Sequence, residues 1–530
     1  MKKLLPLLLF IFALHLVQAQ ERYQDEIFTD VTVTSNVVYG NNVSIAPLLL
    51  MESETPVPVD LLMDIYEPTG DSATNRPVVI ITHRGDFLPG ILNIVAGQQP
   101  YGQKEDFAIA ELCRNLARRG FVAVGMNHRT GWNPFGSSFE KKSTILQASY
   151  RAGQDLTTCV RYFRKSQAED GNPYGVDASK VAIGGYDSAG FAAHSAANLK
   201  TTDQALLPKF LDLSTMPPTP FIDEAFYGNP QATNEGFINI PNHPGYSSEI
   251  SAVISMEGGL GDFSWIEAGD APVIGFLHIE KLDEPGIRDV TEGTTSEILF
   301  ADGAFLDTII HRNIELGNHD VWINANLDDP LTQLANERSG GMEGLFLFDS
   351  PRIPGEVQCD PTPGVAAKTW SRSTYPWNAY DPNFFSAVWN SIPDQSVSAD
   401  LFMCNYNTSQ GNPNDPAASL LYIDTMARYI APRLVLAMGL NQTVSVDNSI
   451  KQDVNFSAFP NPATNFIQLK AAEAIQAIQL FDISGRIAFE LNSINQVQYN
   501  LNVSELPKGM YFAKIQFERG LISQKVIVGN

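Results

Sequence analysis

Two patterns alternate along most of this chain, and that alternation limits what it can fold into. Short apolar runs, some of them strongly β-branched, alternate with stretches of helical period. Val78–Thr82 is an unbroken β-branched run, and Phe121–Met126, Lys180–Gly184, Ala252–Met256 and Pro272–His278 read as further buried strands. A strand that is apolar on both faces needs cover on both faces. Leu61–Tyr66 alternates as a strand. Between the strands, Phe107–Arg119 sets Ile109, Leu112 and Leu116 on one helical face, and Ser143–Lys165 and Ser188–Leu199 read as helices. The expected fold is α/β: a doubly wound, mostly parallel sheet with helices on both faces. Two irregular stretches rich in Pro, Asn and Gly, near 201–248 and 342–416, read as insertions of the lid or binding-surface kind. A last helix, Ala418–Met438, ends this domain, taken as residues 20–440, and a polar linker spans 441–455.

From Phe456 to Asn530 the pattern changes. Phe466–Leu469, Ala477–Phe481, Val497–Leu501, Met510–Phe517 and Lys525–Val528 are short strand-like pieces, separated by turns such as Asp482-Ile483-Ser484-Gly485 and Leu506-Pro507-Lys508-Gly509. Runs of Ile, Val, Phe and Tyr between turn residues predict a small all-β, Ig-like sandwich. Its opening Pro460-Asn461-Pro462, the turn through Gly485, the turn at Gly509 into Tyr511, and the Lys-Val-Ile-Val ending closely resemble the C-terminal sorting domain (type A) of the bacterial type IX secretion system. The resemblance implies a Gram-negative source and the secretion machinery as partner. It also implies a protein that is secreted or held at the cell surface, reached through the periplasm. The other end agrees. Lys2-Lys3, an apolar run from Leu4 to Val17 and Val17-Gln18-Ala19 read as a secretory signal peptide over residues 1–19, too short to span a membrane. No later run is long enough to cross a bilayer.

Composition narrows the partners. The 530 residues carry a formal charge of -24, which excludes nucleic acid and anionic membrane surfaces as natural partners, since both reward a positive face. Four cysteines, Cys113, Cys159, Cys359 and Cys404, pass through an oxidising compartment, so three pairings are possible. Cys359–Cys404, which would staple one irregular stretch, is favoured, with Cys113 and Cys159 as buried thiols on two helices. No cysteine or histidine has metal-ligand spacing, so neither a metal nor another cofactor is expected.

The chemistry-bearing stretch is Ile183-Gly184-Gly185-Tyr186-Asp187-Ser188-Ala189-Gly190, between a buried strand and a helix start. A sharp turn there lifts one side chain to the head of a helix, beside backbone N–H groups that can hold an oxyanion. Together with Leu62–Pro68, Val79–Phe87 and Tyr150–Tyr162, it resembles the secreted carboxylesterase-like branch of the α/β-hydrolase superfamily over roughly Leu61–Met438. The resemblance implies an oxyanion hole from the backbone of Gly85 and Asp86, with Ala189 as the second donor. Two departures stand out. Arg84 replaces the first glycine of the oxyanion loop, and Tyr186 stands where Gly-x-Ser-x-Gly wants glycine before Ser188. Moving the register one residue gives Gly185-Tyr186-Asp187-Ser188-Ala189, with Asp187 as nucleophile, as in dehalogenase-like and epoxide-hydrolase-like relatives. Ser188 is preferred, ahead of a turn kept only as scaffold and of Asp187.

A serine needs an acid and a histidine, in that chain order. Asp283, in the loop after Pro272–His278, is the expected acid, and His319 the expected base, with His311 as the alternative. His83 and His194 read as structural. Two functions follow. One is a secreted serine esterase acting on acyl esters of extracellular substrates, carbohydrate polymers included. The other is a catalytically inactive hydrolase-fold surface or binding protein, which Arg84 and Tyr186 favour.

Overall fold

The structure, a computed structural model, describes residues 21–95, 102–291, 296–350, 352–373, 375–393, 395–440, 454–482, 487–517 and 520–529. The expected signal peptide, most of the linker and Gly485 lie outside them. The chain divides into two compact units, Met1–Met438 and Gly439–Asn530.

The first unit is built on an eight-stranded sheet. Its strands are β1 (Val31–Ser44), β2 (Val57–Pro68), β3 (Arg76–Thr82), β4 (Val122–Met126), β5 (Val176–Tyr186), β6 (Ala252–Met256), β7 (Val273–His278) and β8 (Leu345–Phe348). They lie in the order β1-β2-β4-β3-β5-β6-β7-β8. The β1–β2 and β2–β4 pairs are antiparallel and all later neighbours are parallel. This is the α/β-hydrolase arrangement. β3, β4, β6 and β7 are buried along their whole lengths, as unbroken apolar runs require.

Helices cover both faces because side chains alternate along each strand. Val78 and Ile80 pack into one core with Ala152, Leu156 and Cys159 of α2 (Ser138–Glu169), beneath which α3 (Ser188–Asn198) also lies. On the other face are α1 (Phe107–Arg118) and α7 (Pro416–Ala437), where Tyr429 packs edge-on against Phe276 and Phe346. Helix α2 begins earlier than the sequence suggests, because Ser137 and Glu140 form a reciprocal cap ahead of its apolar stretch. Later come α4 (Leu306–Glu315), α5 (Pro330–Ser339) and α6 (Ala399–Gln410).

One boundary is corrected. The stretch near 342–416 does not begin as an insertion: Leu345–Phe348 is β8, four buried residues in parallel register with β7. A run that short between glycine-rich segments carries no period of its own. The true excursion starts at Asp349. It holds the Cys359–Cys404 disulfide, while Cys113 and Cys159 are buried thiols.

The second unit is all-β. β9 (Ser457–Phe459), β10 (Phe466–Asp482), β11 (Ile487–Asn502), β12 (Gly509–Phe517) and β13 (Gly520–Val528) pair antiparallel throughout. The first part of β10 pairs with β9 and its later part with β12, with a register break against β11 between Lys470 and Ile475. Ile467, Leu469, Ile478, Leu480, Leu501, Ala513 and Ile515 fill its core. The motif residues are structural here. Asn461, between Pro460 and Pro462, accepts the Ile527 N–H through Oδ1 at 2.8 Å, Gly509 opens β12, and the Tyr511 hydroxyl donates to the Pro507 carbonyl at 2.7 Å.

Candidate functional site

In an open parallel sheet, the crevice lies outside the carboxyl ends of the strands. Here those ends carry ionisable residues in succession: His83 and Arg84 after β3, Asp187 after β5, Glu257 after β6, His278 closing β7 and Asp349 after β8. Registers Thr82↔Gly185 and Tyr186↔Met256 bring the first of them alongside one another.

The elbow is present, in the register centred on Asp187. Asp187 has φ 54° and ψ -115°, a region that non-glycine residues rarely occupy. Its N–H donates to the Met256 carbonyl at 2.7 Å, and the Gly190 N–H returns to its carbonyl at 2.8 Å. Gly185 is the position that must be small: a Cβ there would lie 2.0 Å from the Ala189 carbonyl oxygen. Tyr186 therefore needs no small replacement. Its side chain is buried against Tyr375 and Trp377, with centroids 5.6 and 5.9 Å away.

Ser188 is the first residue of α3 and is half-buried. Its hydroxyl accepts the Asp86 N–H at 3.0 Å. The loop after β3 is strained, with φ 128° at Gly85, 49° at Asp86 and 56° at Phe87. Asn93 donates to the Gly85 carbonyl at 2.9 Å and Trp132 to the Asp86 carbonyl at 2.6 Å, fixing the loop. With Asp187 at the apex, the residue after it is Ser188. Ala189 is wholly buried inside the turn.

Arg84 takes the place of a loop glycine and organises the crevice. Its guanidinium pairs with Asp187 at 2.8 Å and lies over the rings of Tyr186 and Tyr375, at 5.2 and 4.7 Å. Two further carboxyls line this edge. Burial, with Asp187 adding to it, raises the Asp86 carboxyl to about 6 against the opposing pull of Arg84. Glu257, with φ 59° and one oxygen accepting the His278 N–H at 2.8 Å, is pushed up by burial to about 8 and holds a proton at neutral pH.

The expected relay is not brought together. His319 is fully buried, with Nε2 accepting the Val273 N–H at 3.0 Å and Nδ1 donating to the Glu343 carbonyl at 2.7 Å. Val273 begins β7, so His319 sits at the amino edge of the sheet, about 16 Å of strand away from the elbow side. Burial lowers its imidazole to about 4, which suits a neutral ring holding two backbone groups. Asp283 is exposed at the end of a short turn, Ile279–Asp283, and makes no hydrogen bond or ion pair among the described residues. His311 is exposed on α4, beside Glu315 at 3.5 Å. His194 bonds to Ser255 at 3.0 Å and His83 to the Arg84 carbonyl, both structural. Among the described residues, no histidine is hydrogen-bonded to Ser188 or Asp187, and no group of three or more His, Cys, Asp or Glu is placed to hold a metal ion. Glu257 and Tyr375 escape sequence reasoning. For Glu257 a signal exists, an acid one step past a predicted strand; for Tyr375, inside a long irregular stretch, there is none.

No curated protein matches the sequence. Solved structures similar to it include Thermogutta terrifontis esterase 2 phosphorylated by paraoxon (19% identity, TM-score 0.25, covering 46% of this chain and 69% of that one). Others are a truncated carbohydrate esterase from gut microbiota (14%, 0.27, 48% and 79%) and an esterase B from Lactobacillus rhamnosis (16%, 0.23, 43% and 49%). At such scores the fold assignment rests on strand order and elbow. Residues 457–529 match the family described as the secretion system C-terminal sorting domain. Such a domain implies engagement with the secretion machinery and delivery outside the cell or to its surface, and among the described residues no helix is long and apolar enough to cross a membrane. The chain thus carries a unit of α/β-hydrolase type followed, at residues 457–529, by a member of the type IX secretion sorting-domain family.

Proposed function

We propose that this is an exported binding protein built on a hydrolase fold, which holds an extracellular ligand at the carboxyl edge of its sheet without running a serine relay. One observation carries the reading: the strained apex of the elbow belongs to Asp187, and its carboxylate is held by Arg84 at 2.8 Å. A serine hydroxyl is a weak nucleophile until a base takes its proton. An oxyanion forming here would also sit beside the Asp86 and Asp187 carboxyls, against the field that stabilises such charge. The half-buried carboxyls and the exposed part of Tyr375 offer hydrogen bonds and a ring face to an uncharged, hydroxyl-rich polymer. A fluorophosphonate probe and a broad ester panel test this. We expect no tagging and no turnover; tagging that disappears in Ser188→Ala overturns the reading.

The Asp86 N–H on the Ser188 hydroxyl favours a second reading, a serine hydrolase acting on acyl esters. It requires His319 and Asp283, or other groups, to reach Ser188 in a different arrangement. His319→Ala abolishing turnover, with the fold retained, supports it.

For export, we infer that residues 1–19 carry the chain to the periplasm and the tail carries it onward. Removing Phe456–Asn530 is expected to leave the first unit folded and to trap it in the periplasm. Equal amounts of full-length and truncated protein in the medium overturn this.

A further inference from the structure

The excursion after β8 reaches back to the elbow, and its disulfide lies on the path. Segment 371–380 supplies Tyr375 and Trp377, whose rings meet Tyr186, while Tyr375 also lies over the Arg84 guanidinium at 4.7 Å. Its attachment to the sheet edge is modest. Arg372 pairs with Glu280 at 3.2 Å and Asp349 at 3.5 Å, all three being exposed enough for solvent to weaken the pairs, and Trp377 packs on Phe348 at 5.4 Å.

Its attachment to the end of α6 and the turn that follows is far denser. The Ser371 N–H donates to the Thr408 carbonyl at 3.0 Å, and the Tyr380 hydroxyl donates to Asn407 at 3.1 Å. Asn412, just past the helix, donates to the carbonyls of Tyr375 and Asn378 at 3.1 and 2.8 Å. Asn414 exchanges two bonds with the backbone of Tyr380, at 2.8 and 3.0 Å. Gly411, with φ 62°, lets Ser371 approach so closely that a Cβ would lie 2.3 Å from its carbonyl oxygen. The described residues of segment 371–380 are therefore held by the C-terminal end of α6 and the turn that continues it.

Cys404 sits on α6 and is bonded to Cys359 across 45 residues, a loop that encloses the whole segment. Two residues further along α6, Tyr406 is buried near enough to Arg84 for the guanidinium charge to act on its hydroxyl. Of the aromatic residues around the guanidinium, Tyr375 thus comes from the disulfide-closed loop and Tyr406 from α6 just beyond its end, and the guanidinium in turn holds Asp187.

We propose that the Cys359–Cys404 disulfide is the element that sets this wall, so that the elbow crevice is complete only in the oxidised, exported protein. In the reducing cytoplasm the two residues are thiols. After export they lose two protons and two electrons to a thiol–disulfide oxidant of the compartment, which leaves as its own dithiol, and the S–S bond closes the loop. The wall is then fixed over Arg84 and Tyr186. This goes beyond the binding reading and holds equally if Ser188 is reactive.

Hydrogen exchange on the full chain, with and without dithiothreitol, tests it. Reduction transfers two electrons and two protons from the dithiol, which becomes its cyclic disulfide, and leaves two thiols on the protein. We expect amides of 371–380 to exchange at least tenfold faster, while Ala252–Met256 in the sheet centre is unchanged. A second measurement uses Ser188→Cys, read by maleimide labelling, in the parent and in Cys359→Ser/Cys404→Ser. The background comes from the parent without Ser188→Cys, whose Cys113 and Cys159 are buried. Labelling at 188 should rise about tenfold once the staple is gone. Unchanged exchange at 371–380, or unchanged labelling, overturns the proposal. So does exchange that accelerates equally in Ala252–Met256, which makes the disulfide a general stabiliser.

Discussion

The two halves of the carboxyl edge are built differently. At the ends of β3 and β5 the backbone is strained, with positive φ at Gly85, Asp86, Phe87 and Asp187, and Gly185 pressed under the Ala189 carbonyl. At and just past the ends of β7 and β8 the chain instead has His278, Glu280 and Asp349 on less strained backbone, and the last two pair with Arg372. Strained backbone persists where the surrounding packing over-determines it. Arg84 and Asp187 lie on the strained half and form an ion pair at 2.8 Å.

The sharpest way to break this comparison is Gly185→Ala. Its methyl has nowhere to go but the Ala189 carbonyl, so we expect a loss of about 4 kcal/mol or more, or no soluble protein. Near-normal denaturant stability would show that the elbow is not over-determined. Next is His319→Ala, which leaves the Val273 N–H and Glu343 carbonyl without partners in the core and should cost about 2–3 kcal/mol.

The third concerns pH. The Glu257 carboxyl stands at about 8 in the folded protein against an ordinary 4.5, so the native state binds this proton more tightly than the unfolded chain does. Its contribution is fully present below 4.5 and is lost as pH rises through about 8. Glu257→Gln, which stays neutral, should flatten that part of the thermal-stability profile. An unchanged slope would mean that the carboxyl is already ionised beside Asp187. The smallest effect is expected for Ser188→Ala, about 1 kcal/mol, because it removes one acceptor of a half-buried N–H.

Much of the architecture was legible because it rests on local signals. Val78–Thr82, Ala252–Met256 and the other apolar runs specify buried strands, and the turn at Asp187-Ser188 marks a strand-to-helix junction. Leu345–Phe348 was not legible, since four apolar residues between glycines and a long irregular stretch have neither length nor period. The disulfide was, because two of four cysteines fall in one irregular stretch.

The site was legible only as a place. Sequence order put Asp283 and His319 after strands and so suggested a shared edge, but His319 follows α4, and its loop returns to the start of β7. Which edge a loop visits depends on the direction of the element before it, and no motif near His319 encodes that.

By itself the amino-acid order determined the alternation of strands and helices, the change of pattern at Phe456 and the presence of an elbow. All of these rest on neighbours within a few residues. Tertiary structure alone decided that Asp187 rather than Ser188 takes the apex, because the choice turns on the steric fit of Gly185 against Ala189 and on one hydrogen bond to Met256 in the adjacent strand. It also decided that Arg84 lies between Asp187 and Tyr375, residues far apart in the chain that meet only when the excursion folds back over the sheet.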